Sequence, residues 1–529
     1  MLKFLVFDEN GSSENRVPPN AYLIGPGGHA MPADIMTAEG MLIILKREPG
    51  VAAFALQQRV GYCGELTVQT CLLPERDEPY LLSLELARHQ LKTFYTKLED
   101  WGLFDLSPDH AAMRRAELGR QLFIQSLCIW PDNMAQADQL AKKSLSAAVD
   151  SNEELVLAHA ELLLQHRKVN GMLPKNLVGC RVVTKHGSSK IRSCLTESFD
   201  FLSLPIPWRD LAPEEGEYNW DKLDEWIEWA DRHGMHLMAG PLISFEPDHQ
   251  PDWLYLWEHD YDAVRHLISE HIKCVIDRYR ENVFTWNVVS GLHVNRHSTF
   301  TFEQIMELTR MATTCVKEIH PSARTIVEIQ QPFGEYCSTN PRSIPPLMYA
   351  NFIVQSGIQF DVLSIKLLIG QAVAGQYVRD LMQISNLLDL FSLFGKPLHL
   401  TTAIPSDSVT PMMIASPDLN APVDANCGYW HQPLSPPVQS HWLEAFLRIA
   451  ISRPCVESVT WHELMDHPDI ELPLAGLLNE TLQPKLSFLR AINFRTSLLN
   501  QDRKPATALT TVAGVASDPN LPPFADNWV

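Results

Sequence analysis

Between residues 177 and 461 the chain repeats one unit: a short apolar run and then a longer segment with helical periodicity. The runs are VGCRVV, FDFLSLP, HLMAGPLIS, VFTWNVV, RTIVEIQ, FDVLSIKLL, PLHLTTA and ESVTWHE, and segments such as NWDKLDEWIEWADRHG separate them. Strands buried on both faces read as continuous apolar runs, and a strand–helix alternation leads to a parallel sheet. Eight such units over roughly 320 residues match the arithmetic of a (β/α)8 barrel. The expected fold class is therefore α/β, a TIM barrel over 171–495. Its strands are expected at 177–182, 200–205, 236–243, 283–289, 325–330, 361–366, 398–402 and 457–461.

Two segments precede the barrel. Residues 1–78 hold β-rich runs (LKFLVF, AYLIG, MLIILKR, VAAFALQQ) divided by Gly/Pro/Asn turns, which predicts a small β-sandwich-like region. Residues 79–170 switch to helical period, with an amphipathic segment and a long Ala/Leu/Glu-rich one. The tail 496–529, rich in Pro, Ala, Thr and Asp, lacks the large apolar residues of a core and is expected on the surface or disordered.

Composition narrows the partners. With 63 acidic against 43 basic side chains the net charge is -20, which disfavours nucleic acid and anionic membranes. MLKFLVFDENG is cut by Asp8 and Glu9 before an h-region forms, and no window is apolar enough to span a bilayer, so a cytoplasmic location is expected. A homo-oligomer is compatible with the sequence. The ten cysteines form no CxxC pair and read as free thiols. HELMDH at 462–467 departs from H-E-x-x-H, with Asp466 where the second histidine belongs, so neither a metal nor a cofactor is expected.

The barrel segments also resemble glycoside hydrolase family 10. WRDLAPEEGEYNWDKLDEWIEWADRHGMHL at 208–237, QPDWL at 250–254, WNVVS at 286–290, FDVLSIK at 360–366, GKPLHLTT at 395–402, VTW at 459–461 and LLNETLQPK at 477–485 follow the family's order. LPERDEPYLLSLELAR at 73–88 resembles the leader of planctomycete proteins of that type. The resemblance implies an endo-1,4-β-xylanase ancestry, with two glutamates about 5–5.5 Å apart acting as acid and nucleophile. Those positions hold Gly291 and Thr402. The family's sugar clamp is replaced by Leu204, Pro207 and Gly240, and the glutamine of its sixth strand by Lys366. Trp208, His399 and Trp461 are retained.

The expectation is thus a pseudoenzyme with a weak carbohydrate-binding or scaffolding role. Trp461, His399, Lys366, Glu246 and His293 are its candidate binding residues, and a polysaccharide or oligosaccharide its partner. An active hydrolase with relocated carboxylates, Glu328 and Glu463, is the first alternative; Glu246, Asp248 and Asp466 lie in the same set of loops. A structural assembly component is the second. A triad from Ser290 and His293 lacks the nucleophile elbow. Trp220, Trp226 and Trp229 recur at helical spacing and are expected to pack the helix onto the barrel.

Overall fold

The computed structural model describes residues 1–8, 16–38, 40–47, 49–130, 132–409, 426–468 and 470–499. The expected tail lies outside the described residues from 500 onward.

Eight parallel strands close a barrel: β1 Val178–Arg181, β2 Phe201–Leu204, β3 His236–Ala239, β4 Thr285–Ser290, β5 Arg324–Gln330, β6 Val362–Leu368, β7 Leu398–Ala403 and β8 Val456–Trp461, with β8 pairing back onto β1. All eight lie where the apolar runs place them, displaced by at most four residues at an end. Helices wrap the outside with their apolar stripes inward. In Asp221–Arg232 the buried residues are Leu223, Trp226, Ile227, Trp229 and Ala230, which makes two of the spaced tryptophans packing residues. The helix after β4, Phe302–Ile319, starts at a capping box in which Thr301 and Gln304 satisfy each other's backbone donors.

The barrel interior is not uniformly apolar. A register shift between Asn287 and Val289 brings Ser290 level with Glu328 on β5, and Glu328 pairs with Ser364 on β6. A polar row therefore crosses the barrel just beneath its C-terminal end.

The β-rich first part forms two sheets. One comprises Ala33–Ala38, Met41–Lys46, Leu2–Leu5 and the parallel Tyr80–Leu81. The other comprises Ala30–Met31, Tyr22–Ile24, Ala53–Arg59 and Gly64–Gln69, and its last strand is Tyr429–Trp430, contributed by the segment that follows β7. The stacked rings of Phe4 and Phe54, 5.4 Å apart, join the sheets. Three helices follow: α1 Leu82–Asp100, α2 Ala111–Ile129 and α3 Met134–Val169. Among the described residues no helix is long and apolar enough to cross a membrane.

Two buried carboxylates tie this part to the C-terminal mouth of the barrel. Glu335, just after β5, accepts from Asn20 Nδ2 (3.2 Å), from the Gly375 amide (2.6 Å) and from Arg379, which also donates to Tyr22 Oη (3.0 Å). Glu153 on α3 accepts from Trp430 Nε1 (2.8 Å) and the Leu381 amide (3.0 Å), and lies 2.7 Å from His431 Nε2. A buried ionised group persists only when such partners replace its water.

Candidate functional site at the barrel mouth

Loops at the C-terminal ends of barrel strands carry chemistry in this fold. Here they line a partly open chamber of about 100 Å³, bordered by Glu246, Asp248 and His249 after β3, Gln331 after β5, Lys366 near the end of β6, Gln371 beyond it, and Glu471 from the loop after β8.

Lys366 Nζ lies 2.7 Å from both oxygens of Glu471. His462 Nε2 lies 2.9 Å from Glu471 Oε2 and 3.2 Å from Arg181 Nη1, and Arg181 in turn donates to Glu463 Oε1 at 2.8 Å. A chain of charged and polar groups thus runs from β6 across β8 to β1, with His462, whose protonated form burial disfavours, between Glu471 and Arg181. Burial pushes the Glu471 carboxyl up, but Lys366, His462 and Arg181 outweigh it and hold the group well below the usual carboxylate range. Glu463 is held down in the same way, mainly by Arg181. On the opposite wall, burial and the nearby Glu471 charge push Glu246 up, and the same two causes act on Asp248. His249 is driven down to about 3 by burial, with Arg181 next in effect, so it is neutral, and neither ring nitrogen has a protein partner.

Of the residues singled out in the sequence, the structure brings Lys366, Glu246 and Asp248 together in the chamber. Glu463 stands beside it, spent on Arg181. The others lie elsewhere, each for a visible reason. Glu328 sits one layer below inside the barrel, accepting from Ser290 Oγ (2.6 Å) and Ser364 Oγ (3.0 Å). His399 is near the N-terminal end of β7, with Nδ1 2.7 Å from Ser458 Oγ and its ring edge-on to Phe201. His293 is wholly buried, stacked on Tyr349 at 5.0 Å, with Nε2 3.0 Å from the Gln330 carbonyl. Trp461 is sealed beneath the loop that follows β8 and donates from Nε1 to the Ala475 carbonyl at 2.8 Å. Asp466 pairs with Lys485 at 2.6 Å. Among the described residues no group of His, Cys, Asp or Glu is arranged to hold a metal ion.

Gly291 and Thr402, where the resemblance leads one to expect glutamates, have structural occupations of their own. Gly291 has φ +70°, and a Cβ there would stand 2.7 Å from Gln330 Cδ, in a side chain whose Nε2 donates to Ser290 Oγ (2.8 Å). Thr402 is 0% exposed and its hydroxyl donates to the Leu367 carbonyl at 2.9 Å.

Sequence reasoning missed Glu471, Arg181, His249, Gln331 and Gln371. Arg181 closes β1 and the other four lie in loops beyond strand ends, a position they share with every residue of those loops.

Comparison with known proteins places the barrel. Residues 175–312, which span β1 to β4, match the family model described as Glycosyl hydrolase family 10. Endo-1,4-beta-xylanase A of Halalkalibacterium halodurans is 32% identical over 95 residues, 15% of this chain and 24% of that protein. Endo-1,4-beta-xylanase A of Caldicellulosiruptor saccharolyticus is 26% identical over 119 residues, 21% of this chain and 34% of that protein. The matched stretch thus spans about a quarter to a third of the length of these relatives. Among solved structures, native xylanase 10B from Thermotoga maritima is similar with a TM-score of 0.46 at 16% identity, covering 63% of this chain and 98% of that one.

Proposed function

We propose, starting from a (β/α)8 barrel of the glycosyl hydrolase family 10 type, that this chain has lost the retaining glycosidase mechanism and serves as a weak carbohydrate-binding or scaffolding protein, with a polysaccharide or oligosaccharide as partner. One observation carries the reading: neither position that must supply a carboxylate has one, and each is committed to packing, Gly291 against Gln330 and Thr402 to the Leu367 carbonyl. The retaining route needs an acid to protonate the leaving oxygen and a carboxylate to attack the anomeric carbon. General acid catalysis alone is worth about 10²–10⁴ in rate, and a missing nucleophile removes the covalent step altogether. The test is turnover of an aryl β-xyloside and of xylan by the full chain. No release above background is expected, and turnover at xylanase rates would sink the proposal.

A second reading is favoured by the chamber itself. Glu246 and Glu471 line one space with shifts of opposite sign, the pattern expected of an acid and an ionised partner. This makes them, rather than Glu328 and Glu463, the relocated carboxylates that an active enzyme would use. Any turnover found should then vanish in both Glu246→Gln and Glu471→Gln.

A further inference from the structure

We propose that the mouth chamber binds one small neutral polyol, of monosaccharide size, and that the loop 371–376 closes it to a polysaccharide chain. This deepens the carbohydrate-binding reading above and rests on it.

Size comes first. About 100 Å³ of space falls well below the 300–1,000 Å³ of pockets that take drug-sized ligands. An extended chain of sugar units also needs a groove open at both ends, and here one wall is the 371–376 loop, whose Gln371, Gly375 and Gln376 line the space. That wall is anchored from behind. Glu335 accepts from the Gly375 amide, Arg379 links Glu335 to Tyr22 of the β-rich first part, and the Thr67 amide donates to the Val378 carbonyl (2.8 Å). Glu335 is therefore a positioning residue for the wall.

Polarity comes second. Gln371 is 4% exposed, and its Oε1 has no protein partner, although its Nε2 donates to Gln376. Gln331 Oε1 and both ring nitrogens of His249 are likewise buried without partners. Buried polar atoms are rarely left unmatched, because each has given up its water and gained nothing in return. Gln331, Gln371 and His249 all line one space, and a modest turn of each side chain would present its unmatched atom to a ligand rich in hydroxyl groups, which both donate and accept. None of the residues that replace the family clamp, Leu204, Pro207 and Gly240, lines this chamber, so the contacts are this chain's own.

Charge disfavours one class. The lining holds Glu246, Asp248 and Glu471 against Arg296 and Lys366, so a further anion would be repelled. The carboxyls of Glu246 and Asp248 are pushed up first by burial and next by the Glu471 charge. The described lining includes no Trp, Tyr or Phe face on which successive rings of a chain could stack.

Calorimetric titration of the full chain with xylose and with xylohexaose tests this. Xylose should bind saturably, in the millimolar range expected of a few neutral hydrogen bonds, and xylohexaose should bind no tighter. Gln331→Gly, which suits the local φ of +44°, should weaken xylose several-fold, and Glu335→Gln should raise xylohexaose affinity relative to xylose. Affinity that climbs steeply with chain length in the unaltered protein would overturn the closed chamber while leaving carbohydrate binding standing. Absence of saturable binding by either sugar would overturn the site itself. Loss of the glycosidase mechanism is judged separately, by aryl xyloside turnover.

Discussion

Gln330 occupies the space into which a side chain at Gly291 would grow: a Cβ there would stand 2.7 Å from Gln330 Cδ, and the backbone is already left-handed, at φ +70°. The position is built over. Putting a carboxylate back means displacing a glutamine that holds Ser290, which in turn holds Glu328.

Restoring the family's residues should therefore fail. Gly291→Glu adds left-handed strain of about 1–2 kcal/mol, and Thr402→Glu places a charge where the wild-type residue is 0% exposed, at a cost of several kcal/mol. The double variant should melt well below the parent and show no aryl xyloside turnover. A stable, active double variant would mean that the mouth is far more plastic than its packing implies.

The Arg379–Glu335 pair, 3% and 2% exposed, should behave as a buried ion pair does. Removing one partner, in Glu335→Ala or Arg379→Ala, should cost about 3–5 kcal/mol, and replacing both with apolar residues of similar volume should recover most of that loss. Urea denaturation of the three variants checks it. Near-neutral single variants would show that the bridge contributes little to holding the loop.

Stability should fall between pH 4 and 6 because of Asp380. Burial and the neighbouring Glu153 raise its carboxyl from 3.8 to about 6. The folded form thus favours the protonated acid: the contribution is complete below pH 3.8 and is lost as pH rises through about 6. At neutral pH the ionised group is a penalty of about 2–3 kcal/mol. Asp380→Asn keeps an acceptor for the Gln383 amide and should raise stability at pH 7 while flattening the pH 4–6 slope. Denaturation midpoints at pH 4, 5, 6 and 7 that move in parallel for both proteins would count against this.

Lys366→Met should release Glu471. With the closest cation gone, the carboxyl held down by Lys366, His462 and Arg181 should titrate at higher pH. Carboxyl-carbon NMR of selectively labelled glutamate would follow it. An unmoved titration would assign the hold to Arg181 and His462 instead.

The barrel could be read from the chain because strands buried on both faces leave runs of apolar residues that loops do not. HLMAGPLIS shows the limit of that signal: the run continues to Ser244, but the regular strand stops at Ala239, where Gly240 takes φ +127°. Side-chain direction was harder to read. His399 and Glu328 lie on the correct strands, yet one falls near the N-terminal end of the barrel and the other a layer below the chamber, and a run of apolar neighbours does not reveal depth. Glu471 and Arg181 were invisible because their importance comes from meeting across the mouth, and nothing in DIELPLAG or VGCRVV differs from an ordinary loop or strand end. The pairing of Tyr429 with Glu65 spans more than three hundred residues and has no local signature.

That pairing also governs the order in which the molecule can be completed. The five-stranded sheet leaves Gly64 and Glu65, at one end of its strand Gly64–Gln69, as an open edge until Tyr429 and Trp430 have been synthesised and brought back to it, and Thr67 on the same strand waits for Val378 and Gln383. During translation, then, the first part of the chain waits with an unfinished edge while most of the barrel emerges. Contacts of such sequence separation form slowly, and an unpaired strand edge invites pairing with neighbouring chains. Nascent chains that stall before residue 429 are the population most exposed to aggregation and most dependent on chaperones.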